Sequence, residues 1–324
     1  MEEVKQLLQE LARVREKMAD VPFDGEIRSD MVRLLTSVGL CHPDVGQARD
    51  SLREAVRIFL QTPQADVSLV QLMMIHYNLP ELLKLGQGDA TDMKLAFDVA
   101  DRFRSLPSRA RREGDPIMEI LRATVVSVIA EHINDAMRRE SLFSEAEAEF
   151  AKAGRMTIDD DHGRELKIAW GRSIAMRAFF EADSVEGARG YDRAGKMLDD
   201  VENGKGDAFE DLDGNVRWTD EWVNLLLLQA LQTHDPDRRE SFLKRAGERI
   251  AQMLKGNEQT LDGVFLSSLA EIAAVRGDMA DCLGCLHRMV TLYGNGRTAA
   301  FIEYSRFLAK ARDDGCIHGF AGTL

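Results

Sequence analysis

The sequence predicts an all-α protein, built of antiparallel helix hairpins stacked as an α-solenoid of about six irregular repeats. Three observations carry this expectation. Apolar residues recur at three- and four-residue spacing along almost the whole chain, the period of an amphipathic helix rather than a strand. Only 7 prolines and 6% aromatic residues occur in 324, which argues against the many turns and aromatic strands of a sandwich or barrel. An apolar triplet, small then large then small, returns at a nearly constant interval.

The elements follow in chain order. Val4, Leu7, Leu11, Val14 and Met18 make one apolar stripe on a first helix. Their 3,4 spacing lasts only about two heptads, which favours a bundle-packing helix over a coiled coil. Pro22 and Gly25 interrupt the pattern, and a second helix is expected from Ile27 to Val38. Pro43 separates it from a third over Val45 to Gln61, and Pro63 precedes a helix carrying Leu69, Leu72, Met73 and Leu82 with a bend near Pro80. Proline lacks an amide donor and clashes with the preceding turn, so each marks a boundary or a bend.

The longest expected helix runs from Pro116 to Arg139. Its broad face comprises Ile117, Ile120, Leu121, Val125, Val128, Ile133 and Met137. Further helices are expected over Ser144–Arg155, Gly163–Ala182, Val185–Val201, Asp220–Gln232, Pro236–Leu254, Gln259–Arg276, Met279–Tyr293 and Arg297–Asp313. Connections are short except for a Gly- and Asp-rich loop over Asn203 to Val216.

The recurrent triplets are Ala48, Leu52, Ala55; Ala96, Ala100, Phe103; Ala146, Phe150, Ala153; a looser Ala188, Tyr191; Arg239, Leu243, Ala246; and Cys282, Leu286, Met289. Their first positions step by 48, 50, 42, 51 and 43 residues, averaging about 47. The physical reading is one helix pair per step. The small residue lets two helices approach, and the large one fills the space between neighbouring pairs. We read a single domain over 1–324, with N-terminal helices in 1–40, the hairpin array over 41–313 and a tail over 314–324. A compact bundle without true repeats is the alternative.

The clearest unit spans Val264 to Gly294. Leu266, Leu269, Ala270 and Ala273 lie on its first helix, Gly277-Asp278 form the turn, and Cys282, Leu286 and Met289 lie on the second. This unit resembles a tetratricopeptide repeat, and Ser141–Ala153, with Phe143, Ala146, Phe150 and Ala153, resembles the second half of one. The spacing is longer than the family's ~34 residues. The resemblance implies helix hairpins that present a surface to a peptide or protein.

Charge and motifs narrow the function. Lys plus Arg number 42 against 55 Asp plus Glu, a net charge of -13, which disfavours general nucleic-acid binding. The acidic, amphipathic N-terminus lacks the pattern of a secretory signal, and the longest apolar runs, Ala123–Ala130 and Leu225–Leu228, are too short to cross a bilayer. A cytoplasmic protein is expected, with Cys41, Cys282, Cys285 and Cys316 as free thiols.

Cys282, Cys285 and His287, with Cys316 and His318 downstream, have the residue types of a zinc or redox centre. The Cys-x2-Cys pair falls inside an expected helix, and the repeat gives Cys282 a packing position, so core packing is the preferred reading. Asp211, Asp213 and Gly214 match part of a calcium loop, but Phe209 stands where its first ligand belongs, and the preferred reading is a solvated acidic loop. Asp159–Asp161 and His162 sit near an expected helix start, where negative charge is favourable.

Arg102, Arg104, Arg109, Arg111 and Arg112 form the one concentrated basic run, available to an acidic partner or to neighbouring carboxylates. Trp218 and Trp222 suit an interface anchor or, preferably, a core edge. No phosphate loop, nucleophile elbow or His-Glu-x2-His motif is present. The sequence therefore favours a non-catalytic interaction scaffold for a protein or peptide partner, with no cofactor. A zinc or redox protein built on the C-terminal Cys/His set and a ligand- or peptide-sensing protein on the same fold are the alternatives.

Overall fold

A computed structural model describes residues 2–22, 24–86, 89–106, 116–156, 160–181, 185–203, 212–255, 263 and 265–293. Among these residues the chain forms thirteen α-helices, one short 3-10 turn at Gln64–Asp66 and no strand. The helices are α1 Glu2–Asp20, α2 Gly25–Cys41, α3 Val45–Gln61, α4 Leu69–Gly86, α5 Ala90–Ser105, α6 Ile117–Glu131 and α7 Ala136–Ala153. They continue with α8 Asp160–Phe180, α9 Val185–Asn203, α10 Leu212–Gln232, α11 Pro236–Leu254, α12 Leu266–Arg276 and α13 Met279–Tyr293. The all-α helical-repeat expectation is met. The chain divides into two compact units, one spanning Met1–Ile158 with α1–α7 and one spanning Asp159–Leu292 with α8–α13.

In the first unit α2 pairs most closely with α3 and α6 with α7; in the second, α8 pairs with α9 and α10 with α11. Small residues set these approaches. A Cβ at Gly39 of α2 would overlap the Leu52 side chain of α3, and one at Gly190 of α9 would lie 2.7 Å from Cβ of Ala178 on α8. The triplets fall on α3, α5, α7, α9, α11 and α13, every second helix. Ala48, Leu52, Ala55, Ala146, Phe150 and Ala153 are all fully buried.

The register needs one correction. Ala188 is exposed, whereas Gly187 is buried; Gly187, Tyr191 and Ala194 complete the full small–large–small spacing on α9.

An aspartate starts most of these second helices. Asp44, Asp89, Asp135, Asp235 and Asp278 each accept a hydrogen bond from a backbone amide two or three residues on, at the heads of α3, α5, α7, α11 and α13. Such caps satisfy amides that have no partner within the helix. At Gly277 the left-handed backbone (φ 82°) closes α12: Asp278 N–H donates to the Ala273 carbonyl and Gly277 N–H to Ala274. Asp278 thus ends one helix and caps the next, as expected for the Gly277-Asp278 turn.

The long helix expected over Pro116–Arg139 is two elements. α6 ends at Glu131, and Asp135 caps α7 through the Arg138 amide at 2.9 Å. Apolar spacing continued across the break because Ile133 is buried in the turn itself, while Met137 lies exposed on α7. α5 stands where no helix was expected, although the Ala96, Ala100, Phe103 triplet marked it. α10 begins at Leu212 rather than Asp220, which places Asp213 and Gly214 inside a helix instead of the solvated acidic loop expected there, and the calcium-loop alternative goes with it. α12 begins at Leu266 rather than Gln259, and the helix expected over Arg297–Asp313 lies outside the described residues.

Candidate interaction surface

The basic run divides. Arg102 donates to the Thr62 carbonyl and is held below its ordinary pKa by burial. Arg104 donates through Nε to Glu145 at 2.9 Å and pairs with Asp101 at 2.5 Å. Burial works against its charge, but Glu145 and Asp101 outweigh it and raise its pKa. Both guanidiniums are therefore engaged by their own unit. Arg109, Arg111 and Arg112 lie outside the described residues.

The tryptophans are core residues, which agrees with the preferred core-edge reading and corrects their place among the candidate partner contacts. Trp218 and Trp222 are 7% and 5% exposed. The Trp218 indole donates to the Leu198 carbonyl on α9 at 3.0 Å, and the Trp222 ring edge packs over Gly195. Arg249 of α11 covers both rings at 5.1 and 4.3 Å, a cation–π arrangement that fills the far side. Tyr191 is buried on α9; among the described residues its hydroxyl has no hydrogen-bond partner, and burial holds its pKa well above the ordinary value.

Cys282 is buried at its packing position and Cys285 is half-buried. Burial pushes both thiols up. The neighbouring Cys285 and Glu271 add to the effect at Cys282, and Arg288 partly opposes it at Cys285. Protonated thiols on a helix are poor nucleophiles and poor metal ligands. Among the described residues no group of three His, Cys, Asp or Glu side chains could hold a metal ion; Cys316 and His318 lie outside them.

One buried carboxylate draws two cations. Asp92, fully buried near the start of α5, accepts from Arg49 Nε at 2.8 Å and Arg53 Nε at 2.5 Å, both on α3. Asp89 lies 3.5 and 3.6 Å from the same two guanidiniums. The hydrogen bond from Arg53 to Asp92 outweighs burial and raises the Arg53 pKa. The Asp89 carboxyl is lowered first by the Thr91 amide. A carboxylate saturated in this way clamps α3 to α5.

The feature that the sequence reading does not contain is on α4. Leu69, Leu72, Met73 and Leu82 were expected on this helix, with no face assigned to each. Leu69, Val70, Met73 and Tyr77 are 50%, 48%, 40% and 47% exposed. Spacing of one helical turn puts Leu69, Met73 and Tyr77 in a row about 12 Å long, with Val70 beside it. Leu72, Ile75, Leu79, Leu82 and Leu83 on the opposite side are buried. Ser68 and Gln71 form a reciprocal capping box that fixes the start of the helix, with Gln71 N donating to Ser68 Oγ at 3.2 Å and Ser68 N to Gln71 Oε1 at 3.1 Å.

The available signal was composition. α4 carries more apolar residues than one buried face needs, and a helix apolar all round has to bury its second face somewhere. α6 buries its own: Met118, Val125, Val126, Val128 and Ile129 are all inside the first unit. α13 exposes a sparser set, Leu283, Val290 and Leu292, with its first two members two turns apart.

No family model, no curated protein and no solved structure matches the chain. Among the described residues no helix is long and apolar enough to cross a membrane.

Proposed function

We propose that the protein is a non-catalytic interaction scaffold whose first unit offers the outer face of α4 to a protein or peptide partner. The tetratricopeptide-like reading of the helix pairs belongs to the same proposal, because such repeats serve as rigid supports for a binding face. One observation carries it: four adjacent large apolar side chains remain half exposed on a capped, well-packed helix. Contiguous apolar surface of this kind marks interaction sites.

Covering what is left of these side chains is worth about 4 kcal/mol, at about 2 kcal/mol per fully buried side chain. A micromolar complex requires about 8 kcal/mol. The stripe can therefore anchor a complex, and polar contacts around it supply the rest.

The test is a parallel purification from the source cell of the natural protein and a Met73→Asp, Tyr77→Asp variant. The reading expects a partner recovered at stoichiometric level with the first and lost with the second, while both show the same thermal unfolding. An identical set of co-purifying proteins from both would end it.

A further inference from the structure

The inference here rests on the scaffold reading and concerns what kind of segment lies on α4. The amino end of the stripe is bordered by carboxylates. Asp66 closes the 3-10 turn just before α4, and a Cβ at Gly25 would stand only 3.1 Å from its Cβ, so the head of α2 abuts it. Asp24 and Glu26 flank Gly25. Ser29 Oγ, one turn further along α2, lies 2.8 Å from Ser68 Oγ, the residue that begins the α4 cap. Asp24, Glu26 and Asp66 are all exposed, and among the described residues none of the three enters an ion pair. The Arg28 side chain, the nearest cation along α2, donates to the Pro22 carbonyl. Asp24 also caps α2, accepting from the Glu26 and Ile27 amides, and the apolar row ends beside a negative collar with no ion-paired cation among the described residues.

We infer that this surface receives an apolar, helix-forming segment of another protein that carries Lys or Arg at one end, lying along Leu69, Met73 and Tyr77 with its basic end against Asp24, Glu26 and Asp66. The apolar row has the turn spacing that matches a second helix packed alongside. Charge complementarity fixes which way the segment lies and speeds its arrival. The same charges disfavour other occupants. A second copy would bring the same net charge of -13, and an anionic membrane would meet the collar with like charge.

The experiment uses the full chain and three labelled synthetic helices with one shared apolar row, ending in three lysines, three glutamates or three glutamines. Fluorescence anisotropy reads their binding. The lysine peptide should bind at least about tenfold more tightly than the glutamate peptide, the affinity ratio of a modest charge contribution. That preference should fall with added salt and shrink in a Glu26→Gln, Asp66→Asn variant. Met73→Asp should weaken all three peptides.

Equal binding of the three peptides, still abolished by Met73→Asp, would overturn the basic-end inference and leave the α4 scaffold reading standing. No binding of the lysine peptide at about 100 µM would also overturn it, since even weak complexes register at that concentration; the co-purification test then decides the scaffold reading alone. Concentration-dependent dimerisation abolished by Met73→Asp would overturn it in favour of a second copy, and co-sedimentation with neutral lipid vesicles abolished by the same change in favour of a lipid surface.

Discussion

Replacing Asp92 by alanine should destabilise the first unit by about 3 kcal/mol, near the lower end of the cost of breaking a buried ion pair. Asp92 itself is fully buried, and its loss leaves Arg49 and Arg53 facing a cavity with side chains only 24% and 20% exposed. Two terms hold the cost at the low end. Both guanidiniums can turn partly towards water, and Asp89 stays within reach at 3.5 and 3.6 Å. The assay is urea unfolding followed by far-UV circular dichroism, because Trp170, Trp218 and Trp222 all belong to the second unit and report on it instead. At an ordinary m-value the midpoint should fall by about 1–2 M. Gly86→Ala supplies an internal check. A Cβ there would overlap Asp92 Oδ2 and press on Arg49, so the substitution should be costly in the natural protein and nearly neutral once Asp92 is alanine. A loss below about 1 kcal/mol, or additive effects of the two changes, would refute the clamp, since an unimportant surface pair is worth no more than that.

Three further outcomes follow from neighbouring observations. Leu72→Asp should unfold the first unit, whereas Met73→Asp should leave its thermal midpoint nearly unchanged, because Leu72 is buried and Met73, about 100° further round the helix, is exposed; equal effects on a melting curve would contradict the exposed stripe. Tyr191→Phe should be neutral or stabilise the second unit by about 1 kcal/mol, since it removes a buried hydroxyl with no partner among the described residues. The raised folded-state pKa of Tyr191 also means that its neutral form supports the fold fully below about pH 10 and loses that support as pH rises towards the folded value, so the variant should lack part of the alkaline fall in stability. Cys285 should react with a disulfide reagent at neutral pH more slowly than a small free thiol and speed up as pH rises, and Cys282 should react only on unfolding; rapid labelling of both in the native protein would show that burial does not hold their pKa values up.

How legible was all this in the sequence? Helix identity was, because spacing of three and four is a local property of a chain with 3.6 residues per turn. Every second helix announced itself through triplets such as Ala146, Phe150, Ala153, where small residues permit close approach. Pro236 and the Gly277-Asp278 turn gave boundaries that the structure reproduces. The Asp caps are equally local signals, and those at Asp89 and Asp135 mark α5 and the break between α6 and α7, which apolar spacing alone does not.

The interaction surface was not legible. α4 and α6 look alike as sequences, both rich in apolar residues on more than one side, yet α6 is surrounded and α4 keeps a row of side chains open. Nor could sequence assign the charges: Arg102 and Arg104 read as a basic patch, but their partners Thr62, just past α3, and Glu145, on α7, lie about forty residues away. The chain by itself determined that helices form, where most begin and end, and which small residues let them meet, because those depend on neighbours along the backbone. Only the tertiary structure decided which apolar faces stay open and which charges are spent internally, because burial and ion pairing depend on what other segments bring to the same place.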